Sequence, residues 1–286
     1  MARIAYVNGT YAPTSDARVP IEDRGYQFAD GVYEVLLVIG GDAWDVDGHL
    51  ARWKRSLSEL GMAEPMSTAA LLAVVRRVLR SNRLGDALVY MQATRGVAPR
   101  DHPFPQRRTA PSVVVTARRF DLAAANAKAR KGVRVITQPD IRWGRVDVKS
   151  ISLLPNVLAK EAARDAGCAE AWLIRDGVVT EGAASNAWIV AESGSLVTQP
   201  LGAHILGGIT RASVIERARE AQIAVEERAF TLDEARSARE AFMTSATAVV
   251  TPITHIDDRP VGDGAPGPIA ARLREAYIDH CSGRAA

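Results

Sequence analysis

Val178-Val-Thr-Glu181-Gly-Ala-Ala-Ser-Asn186-Ala-Trp-Ile-Val190 reads as an apolar strand, a turn of small residues and a second apolar strand, with Glu181 standing where the first strand ends. Ser195-Leu-Val-Thr198-Gln-Pro-Leu-Gly-Ala-His-Ile-Leu206-Gly207-Gly208-Ile209-Thr210-Arg211 follows, and its paired glycines and Thr210 open a helix whose apolar positions include Val214 and Ile215. A helix that starts after a glycine turn presents unpaired backbone N–H groups, which suit a phosphate. Taken alone, Gly207-Gly208 is more readily an ordinary turn, and Glu181 is equally a solvated turn carboxylate.

Upstream, Arg145-Val-Asp-Val-Lys149-Ser-Ile-Ser-Leu-Leu-Pro-Asn156 places a lysine 32 residues before Glu181. Val146 to Val148 read as the end of a strand, and Pro155-Asn156 as the start of a helix. An ammonium in an apolar run is costly unless its charge is used or lost. Desolvation lowers a lysine's pKa, and the neutral amine is the form that condenses with an aldehyde. The plainer alternative is a strand-end lysine that snorkels to water. The chain has five lysines (Lys54, Lys128, Lys131, Lys149 and Lys160) against 31 arginines. Lys128 and Lys131 fall in a polar linker and Lys160 in a helix. An amine, a carboxylate and a phosphate cradle within 65 residues together meet the demands of pyridoxal phosphate: a Schiff-base lysine, an anion at the ring nitrogen and a phosphate anchor.

The stretch from Glu181 to Arg211 resembles the long signature of the class IV aminotransferases, the pyridoxal-phosphate family that includes D-amino-acid and branched-chain aminotransferases. Glu22-Asp-Arg-Gly-Tyr-Gln-Phe-Ala-Asp-Gly-Val-Tyr-Glu-Val35 is similar to the N-terminal motif of the D-amino-acid branch, with Ala29 where a glycine is usual. Tyr90-Met-Gln-Ala-Thr-Arg-Gly-Val-Ala-Pro-Arg100-Asp-His102 resembles its substrate-carboxylate loop, and Lys149-Ser to Asn156-Val-Leu-Ala-Lys160 its lysine segment. The likeness runs from residue 3 to about 280. It implies an α+β, two-domain protein of fold type IV that uses pyridoxal 5'-phosphate and passes an amino group from a D-amino acid (D-alanine or D-glutamate) to a 2-oxo acid (2-oxoglutarate or pyruvate) in a ping-pong cycle.

The resemblance also assigns residues. Lys149 would hold the cofactor and act as general base. Glu181 would keep the ring nitrogen protonated. Arg52 would supply charge to the phosphate, Ile209 and Thr210 their amides, and the Thr244-Ser245-Ala246-Thr247 loop the rest of the cradle. Arg100, His102 and Tyr33 would grip the substrate carboxylate, with the Arg100 loop reaching into the neighbouring subunit of a homodimer with shared sites. This chain departs from the family at Ala246, where a hydroxyl is usual, and at Ala183 and Ala184, where D-specific enzymes commonly have serines. Three other activities fit the same fold. An (R)-selective amine transaminase has no carboxylate for Arg100 and His102 to bind. A branched-chain L-aminotransferase usually lacks that loop. Aminodeoxychorismate lyase would release pyruvate. A pyridoxal-binding protein without catalysis would never interconvert its aldehyde and amine forms.

Composition is that of a globular protein. Hydrophobic residues make 47% and charged residues 24%, and no run approaches the roughly 20 apolar residues of a membrane span. The net charge of +3 is scattered along helices among acids, which argues against nucleic acid as a partner. Met1-Ala-Arg-Ile enters a strand pattern directly, so no signal peptide is expected. Two cysteines, with no metal-ligand spacing, suit a reduced cytoplasm.

Strands are expected at 3–7, 32–39, 87–94 and 112–118, and helices over 49–60 and 68–81, the second capped by Ser67. Beyond residue 132, a strand, Lys149, a helix at 156–166, a hairpin at Asp176-Gly177 and helices near 210–221, 232–239 and 267–280 are expected. The division is a small α+β domain at 1–119, a linker at 120–131 whose alanines could also make a short helix, and a larger α+β domain at 132–286 that carries the lysine.

Overall fold

The structure, a computed structural model, describes residues 3–283. The chain divides into two compact units, Met1–Asp121 with Val148–Ser152, and Leu122–Asp147 with Leu153–Ala286.

In the first unit, strand β1 (Ile4–Val7) turns at Asn8-Gly9 into β2 (Thr10–Pro13). Both turn residues have positive φ, 46° and 96°, as a two-residue hairpin with right-handed twist requires. Helix α1 (Arg24–Phe28), strands β3 (Gly31–Ile39) and β4 (Asp42–Ala43), helices α2 (Val46–Glu59) and α3 (Thr68–Ser81), and strands β5 (Ala87–Thr94) and β6 (Ser112–Arg119) follow. The six strands form one sheet in the order β2-β1-β6-β5-β3-β4. The apolar run of β3 pairs antiparallel with β5 from Gly31↔Thr94 to Val38↔Ala87. Helix α2 buries Leu50, Trp53 and Leu57, and α3 buries Leu71, Val75 and Val78, in a core that includes Val32, Leu36 and Met91 of the sheet. Ser67 caps α3 by accepting from the Ala70 amide at 3.3 Å.

The second unit comprises α4 (Leu122–Lys131), β7 (Val133–Pro139), α5 (Leu154–Asp165), β8 (Glu170–Arg175), β9 (Val178–Gly182), β10 (Asn186–Val190), β11 (Leu196–Thr198), α6 (Ile209–Glu220), β12 (Val225–Glu227), α7 (Leu232–Ser237), β13 (Glu240–Ser245), β14 (Val249–Ile256), β15 (Arg259–Pro260) and α8 (Pro268–Cys281). Its mixed sheet runs β12-β11-β10-β13-β14-β7-β8-β9, with β15 on β14. Trp188 of β10 stacks on Phe242 of β13 at 5.4 Å between ring centroids, in a core beneath α6 and α8. Asp176 and Gly177, φ 51° and 79°, make the expected hairpin turn between β8 and β9.

Two expectations are corrected. The expected linker at 120–131 is mostly helix: its alanines favour α4, and Asn126 of that helix accepts from Arg274 Nε at 3.1 Å and Nη2 at 2.8 Å. The strand expected to end at Val146–Val148 is a turn instead. Its alternating valines reflect two separate burials, Val148 in the first unit's core and Val146 in the second unit, where its amide donates to Ala203 O at 3.0 Å. Lys149, expected in the larger domain, therefore groups with the first unit.

Candidate active site

Lys149 is held by its main chain to β3. Tyr33 N donates to Lys149 O at 3.0 Å, Ile151 N donates to Gly31 O at 3.0 Å, and Ser150 forms a bridge with Val32. Its own amide donates to Ser56 Oγ on α2 at 3.2 Å. The half-buried side chain lies with Nζ 4.3 Å from the Tyr33 ring centroid. Tyr33 in turn stacks on Tyr90 at 5.6 Å. Burial, reinforced by the neighbouring Tyr33, pushes the Tyr90 hydroxyl up to about 12, so it stays a neutral donor, to Gln92 Oε1 at 2.7 Å.

On the same unit, Arg52 forms a fork with fully buried Glu34, Nε to Oε1 at 2.7 Å and Nη2 to Oε2 at 2.8 Å. His49 Nδ1 lies 2.8 Å from Glu34 Oε2. Burial alone would raise the Glu34 pKa. The Arg52 hydrogen bonds and charge, the His49 contact and the charge of Lys149 overcome it and hold the carboxyl at about 2. Glu34 thus fixes the guanidinium and places a permanent negative charge where Lys149 feels it.

Glu181, at the end of β9, is buried. Asn186 Nδ2 donates to its Oε2 at 2.9 Å, Leu206 N donates at 3.1 Å, and Arg142 Nη1 bonds Oε1. Asn186 also donates to Leu206 O at 2.8 Å, so one amide side chain ties β10 to the loop before α6. Arg142 is shared with Asp140, Nη2 to Oδ2 at 2.8 Å, and Thr180 Oγ1 donates to the same carboxylate at 2.9 Å. Burial pulls the Arg142 pKa down, but its bonds to Asp140 and the charges of Glu181 and Asp140 raise it above its ordinary value. Burial likewise opposes ionisation of Asp140, and Arg142 outweighs it, holding that carboxyl at about 2. Arg175 Nη2 lies 3.1 Å from the other Asp140 oxygen, so Asp140 is held between two guanidiniums and Arg142 links it to Glu181.

Gly208 is the N-cap of α6, and no side chain caps it. The first-turn amides, those of Ile209 and buried Thr210 among them, have no partner within the helix. A Cβ on Gly208 would collide with Asn186 Oδ1, so glycine is what lets the helix start so close to the Glu181 clamp. At the end of β13, Ser245 Oγ accepts from the Ala248 amide at 3.0 Å and lies 3.2 Å from Thr247 Oγ1. Ala246 is half-buried and adds no side-chain donor. Deeper in, Thr244 Oγ1 accepts from Trp188 Nε1 at 2.9 Å.

Arg100 and His102 lie on an exposed loop of the first unit. The Arg100 guanidinium is 5.2 Å from the Phe28 ring centroid, and the His102 ring is 5.5 Å from it. The first unit holds Lys149, Arg52, Tyr33, Arg100 and His102, and the second holds Glu181, Ile209, Thr210, Ser245 and Ala246. Sequence reading missed Asp140 and Arg142, because Asp-Ile-Arg in a loop carries no periodicity, and it missed Glu34 and His49 as partners of Arg52. Their spacing on β3 and on one turn of α2 was the available signal.

Residues 31–256 match the family model described as "Amino-transferase class IV". The chain is 42% identical over 269 residues to a D-alanine aminotransferase of Bacillus licheniformis, covering 94% of each. It is 37% identical over 279 residues to a D-alanine aminotransferase of Staphylococcus haemolyticus, covering 98% of each. Among solved structures, a branched-chain amino acid aminotransferase from Thermoproteus uzoniensis with norvaline superposes with TM-score 0.86 at 27% identity, covering 100% of this chain and 96% of that one.

Proposed function

The chain belongs to the class IV aminotransferases, and from that premise we propose that it transfers the amino group of a D-amino acid, with D-alanine as a donor, to a 2-oxo acid. Pyridoxal 5'-phosphate would supply an aldehyde that condenses with amines and a ring that accepts electrons from the bond broken at the substrate Cα. The residues present fit that group. The uncapped start of α6 matches a phosphate, and the glycine that a Cβ would close off stands beside it.

The clamp on Glu181 is the observation that carries this chemistry. A buried carboxylate oriented by Arg142, Asn186 and the Leu206 amide is suited to hold a proton on a ring nitrogen. Lys149 would carry the cofactor and then move the proton at the substrate Cα, steadied by the charge of Glu34. Arg52, Ile209, Thr210 and the Ser245-Ala246 loop would bind phosphate. Arg100, His102 and Tyr33 would bind the donor's carboxylate, which favours an amino acid over a simple amine.

The same reading includes a homodimer with shared sites. Helix α5 leaves Leu154, Val157 and Leu158 exposed at i, i+3 and i+4, by 67%, 57% and 54%, and an aliphatic stripe of that kind is a partner surface. Ile21, Tyr26 and Phe104 of the first unit are exposed as well. A cytoplasmic setting accords with two free thiols, Cys168 and Cys281. Half-transamination tests the activity. D-alanine should bleach the cofactor's visible absorbance within the dead time of manual mixing, and L-alanine should do so orders of magnitude more slowly. Equal rates, or a faster L-isomer, would refute the D-specific assignment.

A further inference from the structure

The segment Glu22–Val35 contributes Tyr33 and Glu34 to the site, yet its strongest structural commitments lie elsewhere. Asp23 Oδ1 accepts from Gly25 N at 2.8 Å and caps α1, while Thr94 Oγ1 donates to Oδ2 at 3.0 Å. Arg24, 3% exposed, turns its guanidinium toward the loop that carries Arg100 and His102. Its Nη1 donates to Asp101 O at 2.6 Å and its Nη2 to His102 O at 3.2 Å. Its Nε donates to Asp30 Oδ2 at 2.9 Å. Asp30 also accepts from Arg95, Nε at 2.7 Å and Nη2 at 3.0 Å. Arg95 closes the far side, with its guanidinium 3.6 Å from the Phe104 ring centroid. Phe28, at the other end of α1, lies under both Arg100 and His102.

We propose that α1 is the positioning element of the Arg100–His102 loop: Arg24 fixes its main chain at two successive carbonyls, Phe28 supports its two side chains, and Asp30 locks Arg24 in place. The inference rests on the reading of Arg100 and His102 as the carboxylate grip. An exposed loop samples many conformations, and a bidentate grip on a carboxylate needs one. The carbonyls of residues 101 and 102 lie in the two peptide planes that flank the His102 Cα, so holding both sets the direction in which the His102 side chain leaves, while Arg100 is steadied through its contact with Phe28. Only a planar fork can reach two carbonyls and Asp30 at once. An ammonium is a point charge and cannot.

Arg24→Lys and Phe28→Ala in the intact holoenzyme test this, with Asp30→Asn as the substitute if either variant does not fold. Hydrogen exchange at the amides of residues 100–102 and 104 should accelerate while exchange in β3 and β5 is unchanged. KM for D-alanine should rise about tenfold, the size of one lost charge-assisted hydrogen bond, with kcat within a few-fold of the parent. Arg100→Ala is measured alongside. Unchanged loop exchange would overturn the inference, and so would a loosened loop with unchanged KM if Arg100→Ala raises KM. If Arg100→Ala itself leaves KM unchanged, the grip reading fails, and the positioning role in catalysis falls with it.

Discussion

Ala29 closes α1 in the left-handed region, with φ 55° and ψ 28°, while its amide bonds Gly25 O. A Cβ in that conformation is unfavourable by roughly 1–2 kcal/mol, and glycine relieves this at some gain in unfolded-state entropy. Ala29→Gly should therefore stabilise the protein by about 0.5–1 kcal/mol, read as a higher urea midpoint. A lower midpoint would show that the Ala29 methyl is worth more in packing than its backbone costs. Glu34 and Asp140 set the acid response. Their folded pKa values are depressed to about 2, so each contributes stability above its unfolded value near 4 that disappears as pH falls through about 2. At one pKa unit per roughly 1.4 kcal/mol, Asp140 is worth about 2–3 kcal/mol and Glu34 about 3–4 kcal/mol at neutral pH. Urea unfolding of Glu34→Gln and Asp140→Asn should show a flatter loss of stability between about pH 4 and pH 2 than the parent; an unaltered slope would contradict the ion-pair account. For Lys149, borohydride reduction and peptide mapping should find the pyridoxyl group there, and label on Lys160 would refute the assignment. Lys149 and Glu181 stand out in the sequence only through the motif resemblance, since local context alone leaves a snorkelling lysine and a solvated turn carboxylate open. Asp140 and Arg142 do not stand out, because their importance comes from burial against residues about 40 and 60 positions away, Thr180 and His204.

Helix α6 shows how an element and a site constrain each other. Its start was readable from Gly207-Gly208, but the reason for glycine there was not: it is the approach of Asn186, a residue of another strand. Gly208→Ala should push Asn186 from Glu181 and leave the sheet intact. Cofactor affinity, measured by fluorescence titration, should fall about tenfold, corresponding to about 1.4 kcal/mol, with little change in circular dichroism. Retained affinity would show that the helix can shift without cost to the clamp. Most elements were visible in the same way, since the apolar runs of β3 and β5 and the helical spacing of Leu50, Trp53 and Leu57 are local signals. Where reading failed, at Val146–Val148, a period-two pattern arose from two anchoring valines without any ladder between them.

At the scale of the whole molecule, the exposed stripe of α5 and the proposed reach of the Arg100 loop make two separable predictions. If the proposed homodimer forms through this stripe, Leu154→Glu with Leu158→Glu should leave a monomer by analytical ultracentrifugation where the parent is a dimer; an unchanged mass would refute the stripe as its interface. Mixing Lys149→Ala with Arg100→Ala protomers should restore activity, because one shared site regains both groups while each parent variant lacks one. Verified heterodimers that stay inactive would rule out sharing. The division of the chain has a further consequence for ancestry and engineering. The five residues Val148–Ser152 group with the first unit although about 26 residues of the second precede them. A single crossover at Asp121 between two relatives would thus part Lys149 from Val32, Tyr33 and Ser56, the groups that hold its backbone. Halves of this protein are not interchangeable cassettes: a viable chimera must inherit the lysine pentapeptide with the N-terminal parent, which takes three junctions in place of one.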